Sequence, residues 1–242
     1  MSTIEFDHIA IAVQTMAAVP AFLVGVLGGR PAYGAQRDGF GFGQWEFDGG
    51  GRIEILEPVG GADFLRRFLD QRGPGVHHVT FTVPSLRDAC DRAAAHGFSV
   101  TGYDDSDPGW QEAFLHPRTA LGMVVQLAAS TTGEKPQRWT PPPSPPDPPP
   151  AVRLRGLRTR ARATERVTAL WQTVLGGMRA QDDGDPMLVF AWPGSPLRIM
   201  VEIDPEGQEG PVSIDLASDR VLILDDAPHA VLGARFVQSR AE

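Results

Sequence analysis

The chain has 242 residues, a net charge of −8, 42% hydrophobic residues and 21% charged residues, values that suit one large or two small globular domains. The acidic balance argues against a general binder of nucleic acid or anionic membranes. One cysteine, Cys90, leaves no internal disulfide framework; with no leader pattern and no apolar run of membrane-spanning length, a cytoplasmic protein is expected.

The first strand is expected over Phe6 to Val13, with His8, Ala10 and Ala12 on one face. A helix from about Thr15 to Leu27 follows, closed by Gly28-Gly29 and limited at its start by Pro20. Gly43 to Phe47 and Arg52 to Leu56 read as a hairpin around Asp48-Gly49-Gly50-Gly51. Asp63 to Arg72 is a short amphipathic helix.

His78 to Val83 opens a second unit, its face carrying His78, Thr80 and Thr82. Ser85 caps a helix running to about His96, with Gly97 ending it. Cys90 sits in that helical pattern with no base near it in sequence and reads as a core thiol. Phe98 to Tyr103, Glu112 to Leu115 and Met123 to Leu127 complete the unit as strands.

Pro141 to Pro150 holds eight prolines in ten residues. It favours polyproline II and reads as a linker more readily than as a docking motif. A third unit follows: a strand over Leu154 to Ala161, a helix from a Thr164 cap to Leu175, and a hairpin of Met187 to Trp192 with Leu197 to Ile203. Its Val174-Leu175-Gly176-Gly177 repeats Val26-Leu27-Gly28-Gly29. A shorter fourth unit starts at Pro211 to Leu216 and has no room for a full helix. The expected domains are a metal-binding pair of units over 1–132, a proline-rich linker over 133–151, and a degenerate pair over 152–242.

The repeat pairs His8 with His78 and Glu54 with Gln126. If two units pair about a pseudo-twofold axis, these four side chains converge. Two imidazoles, a carboxylate and an amide oxygen suit a divalent first-row metal and leave positions for water or substrate. The plain alternative is a structural histidine at the mouth of each strand and a solvent-facing Glu54. His77 points to the opposite face and is assigned to the strand edge. In the second half Gly156 stands where His8 stood and Met200 near Glu54, so no comparable metal site is expected there.

The segments DHIAIAV (7–13), RIEILEP (52–58), GPGVHHVTFTV (73–83), FLHP (114–117) and GMVVQL (122–127) resemble the vicinal oxygen chelate superfamily. That superfamily includes glyoxalase I, bleomycin and fosfomycin resistance proteins, extradiol dioxygenases and methylmalonyl-CoA epimerases, the last being nearest in order and wording. The resemblance implies an α+β fold of repeated βαβββ units forming curled mixed sheets, the second half degenerate. It also implies the metal ligands His8, Glu54, His78 and Gln126, for a divalent ion that the sequence leaves open among Co, Ni, Zn, Mn, Mg and Fe. Epimerases carry an amide where Glu54 stands and a carboxylate where Gln126 stands, so the pair is exchanged here.

The leading expectation is a metal-dependent isomerase or lyase, in which a carboxylate moves a proton beside a metal-polarised carbonyl. The proton carriers would be Glu46 and Glu112, with strand register deciding which side chain faces the site. The partner would be a small-molecule substrate, an acyl-CoA or an oxoacid. A homodimer is allowed, and neither nucleic acid nor membrane is expected. A non-haem iron dioxygenase and a non-catalytic binding protein of the drug-resistance type stand as alternatives.

Overall fold

A computed structural model describes residues 3–37, 39–61, 64–130, 139–180 and 187–239. Residues 133–138 of the expected linker and Asp63, the expected start of a helix, lie outside the described residues.

In chain order the elements are β1 (Glu5–Ala12), a 3-10 turn (Met16–Ala18), α1 (Pro20–Leu23), β2 (Arg30–Gln36), β3 (Phe40–Glu46), β4 (Arg52–Pro58) and α2 (Phe64–Arg72). Then come β5 (Gly75–Thr82), α3 (Leu86–Ala95), β6 (Val100–Asp104), β7 (Gln111–Leu115) and β8 (Val124–Ala129). After the proline-rich stretch come β9 (Arg153–Ala161), α4 (Thr164–Thr168) running into a π-helical turn (Ala169–Val174), β10 (Met178–Ala180), β11 (Leu188–Ala191), β12 (Arg198–Ile203), β13 (Gly210–Ala217) and β14 (Phe236–Ser239). Strand order is β2-β3-β4-β1-β5-β8-β7-β6 in one open sheet and β10-β11-β12-β9-β13-β14 in the other. Mixed sheets with few helices make this an α+β fold, as expected.

Two helices differ from the sequence expectation. Thr15 to Leu27 holds only the 3-10 turn and α1, because Pro20 sits at the first turn of α1 and supplies no N–H to a helix arriving from before it. After the β-region Ala163, α4 passes directly into the π-helical turn. The two repeated glycine pairs nonetheless close their helices alike. Gly28 and Gly176 take φ of 71° and 66°, while Gly29 N–H reaches Leu23 C=O and Gly177 N–H reaches Trp171 C=O. That left-handed turn is open to glycine at little cost.

Contacts divide the chain into two compact units. Unit 1 is Met1–His8, His78–Lys135 and Gly156–Val212; unit 2 is Ile9–His77, Pro136–Arg155 and Ser213–Glu242. Each draws strands from both sides of the proline-rich stretch. In unit 1, Phe6 stacks on Phe81 at 4.8 Å and Trp192 meets Phe81 edge-on at 4.8 Å. The Trp192 indole donates to Leu175 C=O, which satisfies the polar edge of a buried ring. Ser195 Oγ donates to Phe6 C=O, and Arg166 donates to the carbonyls of His96 and Thr119 with its guanidinium 4.3 Å from the Phe98 ring centre.

Unit 2 buries Leu65 and Leu69 of α2 against Ala10, Ala12 and Leu56, with Phe40, Phe42 and Phe68 alongside. The amphipathic spacing of α2 has its partner in that small-residue face of β1. The proline-rich stretch packs on this same unit. Trp139 stands edge-on to Trp45 at 5.5 Å and lies over Gly34 and Gly43, where any Cβ would collide with its ring. At the end of the stretch, Val152 N–H donates to Leu27 C=O and Arg153 pairs with Asp48 at 2.9 Å.

Candidate metal centre

Unit 1 holds three of the four expected ligands on adjacent strands. His8 comes from β1, His78 from β5 and Gln126 from β8, and all three are buried. The His8 and His78 rings meet edge-on with centroids 6.0 Å apart. In the parallel β5–β8 ladder Thr80 lies directly opposite Gln126. The Thr80 hydroxyl donates to Gln126 Oε1 at 2.6 Å and stands 2.9 Å from His8 Nε2. The Gln126 Nε2 donates to Glu112 Oε2 at 2.7 Å, and the Trp110 indole donates to the same oxygen at 2.9 Å. Asp7 Oδ1 lies 3.7 Å from His8 Nδ1.

Unit 2 holds Glu54 on β4. In the antiparallel β3–β4 ladder its partner is Gln44, whose Nε2 donates to Glu54 Oε2 at 3.0 Å. Arg52 in turn donates to Gln44 Oε1 at 3.3 Å. Glu46 sits two residues along β3, at the hairpin end opposite Arg52, and forms a surface ion pair with Arg30 at 3.2 Å. His77 packs against Phe68 and Phe64, with centroids at 4.8 and 5.6 Å. Burial is the main cause that lowers its pKa to about 4, with Glu54 opposing and Arg72 assisting the shift.

Among the described residues, His8, Glu54 and His78 form a buried group whose ligand atoms all lie within 4.8 Å of one another, a set that could hold a metal ion. Two imidazoles and a carboxylate match a borderline divalent cation, and the amide oxygen of Gln126 is a compatible neutral donor. The sequence reading did not single out Gln44, Thr80 or Trp110 as partners of these residues. Thr80 was legible on the His78 face, and Gln44 could have been found from the hairpin register once the turn over 48–51 was placed.

Residues 7–114 match the family model described as Glyoxalase/Bleomycin resistance protein/Dioxygenase superfamily. The chain is similar to this superfamily over those residues. Relatives include the ethylmalonyl-CoA/methylmalonyl-CoA epimerase of Cereibacter sphaeroides, 29% identical over 137 residues that make up 51% of this chain and 96% of that protein. A solved methylmalonyl-CoA epimerase of Streptomyces coelicolor in complex with 2-nitronate-propionyl-CoA is 24% identical, covering 54% of this chain and all of that one, with a TM-score of 0.48. A variant 4-hydroxymandelate synthase of Streptomyces coelicolor is 12% identical and covers 91% of this chain and 72% of that one, with a TM-score of 0.61. The last likeness is one of fold, and it reaches beyond residues 7–114 into the second half.

Proposed function

We propose that the chain is a metal-dependent isomerase or lyase that moves a proton at the carbon next to a carbonyl. His8, Glu54, His78 and Gln126 would hold the ion. The observation that carries this reading is the buried His8, Glu54 and His78 group, with the Gln126 amide turned so that its NH2 donates to Glu112 and its oxygen accepts from Thr80, which also stands beside His8. A divalent ion bound there supplies a Lewis acid for a carbonyl oxygen.

Glu112 is the proton carrier in this reading. Its Oε2 accepts from Trp110 and Gln126, which orients the carboxylate and directs Oε1 to the proton-accepting role. Glu46 has the weaker claim, since its carboxylate is engaged by Arg30 at the surface. The epimerase relative's name supports an acyl-CoA thioester as substrate, and an oxoacid has the same acidic C–H beside a carbonyl. All four ligands fall within 1–132. The pair over 152–242 then serves as scaffold, joined through 133–151. No helix among the described residues is long and apolar enough to cross a membrane, and a cytoplasmic location remains part of the proposal.

A second reading keeps the same residues. Two histidines and one carboxylate are also the donor set of non-haem iron dioxygenases, so His8, Glu54 and His78 favour that chemistry as the alternative. Metal analysis of the purified protein, with a thermal-shift screen of acyl-CoA and oxoacid ligands, tests the proposal. Stoichiometric metal and a chelator-sensitive shift with one of these ligands are expected. Absence of metal, with ligand binding indifferent to chelator, would instead favour a non-catalytic binding protein.

A further inference from the structure

The hydrogen-bond chain of unit 1 has a fixed direction. Glu112 is an acceptor, and two donors meet at its Oε2: Trp110 Nε1–H and Gln126 Nε2–H. The Gln126 amide is therefore oriented with its oxygen toward Thr80. The single hydroxyl proton of Thr80 is donated to that oxygen at 2.6 Å. With that proton committed, the Thr80 oxygen is left to accept, and His8 Nε2 stands 2.9 Å from it as the N–H donor. Five side chains are ordered end to end, and Thr80, between Gln126 and His8, is fully buried.

From this we infer that Thr80 is a positioning residue that presents the Gln126 amide oxygen for coordination. The inference rests on the metal-site reading above. A glutamine side chain has several rotamers, and its amide can turn either its oxygen or its NH2 inward. Glu112 specifies which end faces away, and Thr80 holds the end that faces in. Thr80 lies opposite Gln126 on the neighbouring strand, so backbone pairing sets the reach of its hydroxyl. Groups that orient metal ligands in this way typically account for about 10- to 100-fold in metal affinity.

The test is Co2+ titration of the full chain, followed by its visible absorption spectrum, for wild type, Thr80→Val and Thr80→Ser. Valine keeps the volume and β-branching of threonine, and serine keeps only the hydroxyl. Wild type is expected to bind one Co2+. Thr80→Val should bind about ten-fold more weakly with an altered Co2+ spectrum, and Thr80→Ser should restore both affinity and spectrum. Thermal melts of the metal-free proteins identify a folding defect: a Thr80→Ser protein destabilised like Thr80→Val yet binding Co2+ as wild type supports positioning. Equal Co2+ affinity and an unchanged spectrum in Thr80→Val would overturn the inference while leaving the metal site in place. A wild type that takes up no Co2+ would overturn both.

Discussion

The Gln126 amide donates to the Glu112 carboxylate across 2.7 Å, and in the other unit the Gln44 amide donates to the Glu54 carboxylate across 3.0 Å. Each repeat therefore carries one amide–carboxylate pair on neighbouring strands, with the two members exchanged. On β4 the strand of the expected ligand carries the acid; on β8 it carries the amide. The exchange of acid and amide between the two repeats is accordingly accompanied by complementary residues on β3 and β7.

That complementarity makes a swap experiment decisive. Gln126→Glu alone would set two carboxylates at hydrogen-bonding distance and should cost about 2–3 kcal/mol of stability at neutral pH. Adding Glu112→Gln should recover stability to within about 1 kcal/mol of wild type, because the pair is restored in reverse. Chemical denaturation of the three proteins measures this. A double variant no more stable than Gln126→Glu would show that the two side chains are not coupled.

His8→Ala and His78→Ala should each remove most metal affinity, since each deletes one donor of the set. His77→Ala should keep metal stoichiometry near wild type, because its ring is held by Phe64 and Phe68 of α2. Metal content after dialysis reads the outcome. Equal losses in the His77 and His78 variants would contradict the assignment of alternate residues to opposite strand faces.

The strand repeat and the strand positions of His8, Glu54, His78 and Gln126 were legible because polar and apolar residues alternate from His78 to Thr82 of β5 and the glycine pairs mark equivalent helix ends. What escaped was set by contacts distant in sequence. β2 has the composition RPAYGAQ, with a proline and a glycine, and forms only because β3 offers it an edge. Trp139 looks like part of a spacer until Gly34 and Gly43 are seen beneath its ring. Gly156 was recognised as the residue in the His8 position, but not why it is glycine. Its φ is 146°, and any Cβ there would strike the Arg198 carbonyl on β12, so the close β9–β12 approach itself excludes a ligand side chain.

Cutting the chain within Pro141 to Pro150, through an inserted protease site, should leave the two fragments associated. In unit 1 the fragments share Phe6, Phe81, Trp171 and Trp192; in unit 2 they share Phe22 with Phe236 at 4.9 Å and the Arg220 guanidinium with Val26 C=O. Size-exclusion chromatography of the cut protein should show one species of unchanged size. Two separate, folded fragments would mean that each half completes its own core.

Stability should fall as pH drops below about 6.5, in part through His229. Burial lowers its pKa, opposed by Asp225, and its Nδ1 lies 3.3 Å from the N–H groups of Val231 and Leu232, which only an unprotonated nitrogen can accept. The unfolded state thus binds the proton more readily, so this contribution is present above the unfolded pKa and is lost as pH falls through that range. Denaturation of His229→Phe across pH 5–8 should show a shallower decline than wild type. An identical slope would assign the acid sensitivity elsewhere.

Solvent deuterium exchange tests the central claim most directly. The metal-loaded protein is incubated in D2O with acyl-CoA thioesters and oxoacids bearing an acidic hydrogen beside the carbonyl, and deuterium at that carbon is followed by mass spectrometry. The account predicts incorporation into at least one of them, abolished by chelator and reduced by roughly 100-fold or more in Glu112→Gln. No incorporation into any of these substrates by protein carrying stoichiometric metal, or incorporation that survives both the chelator and Glu112→Gln, would contradict it.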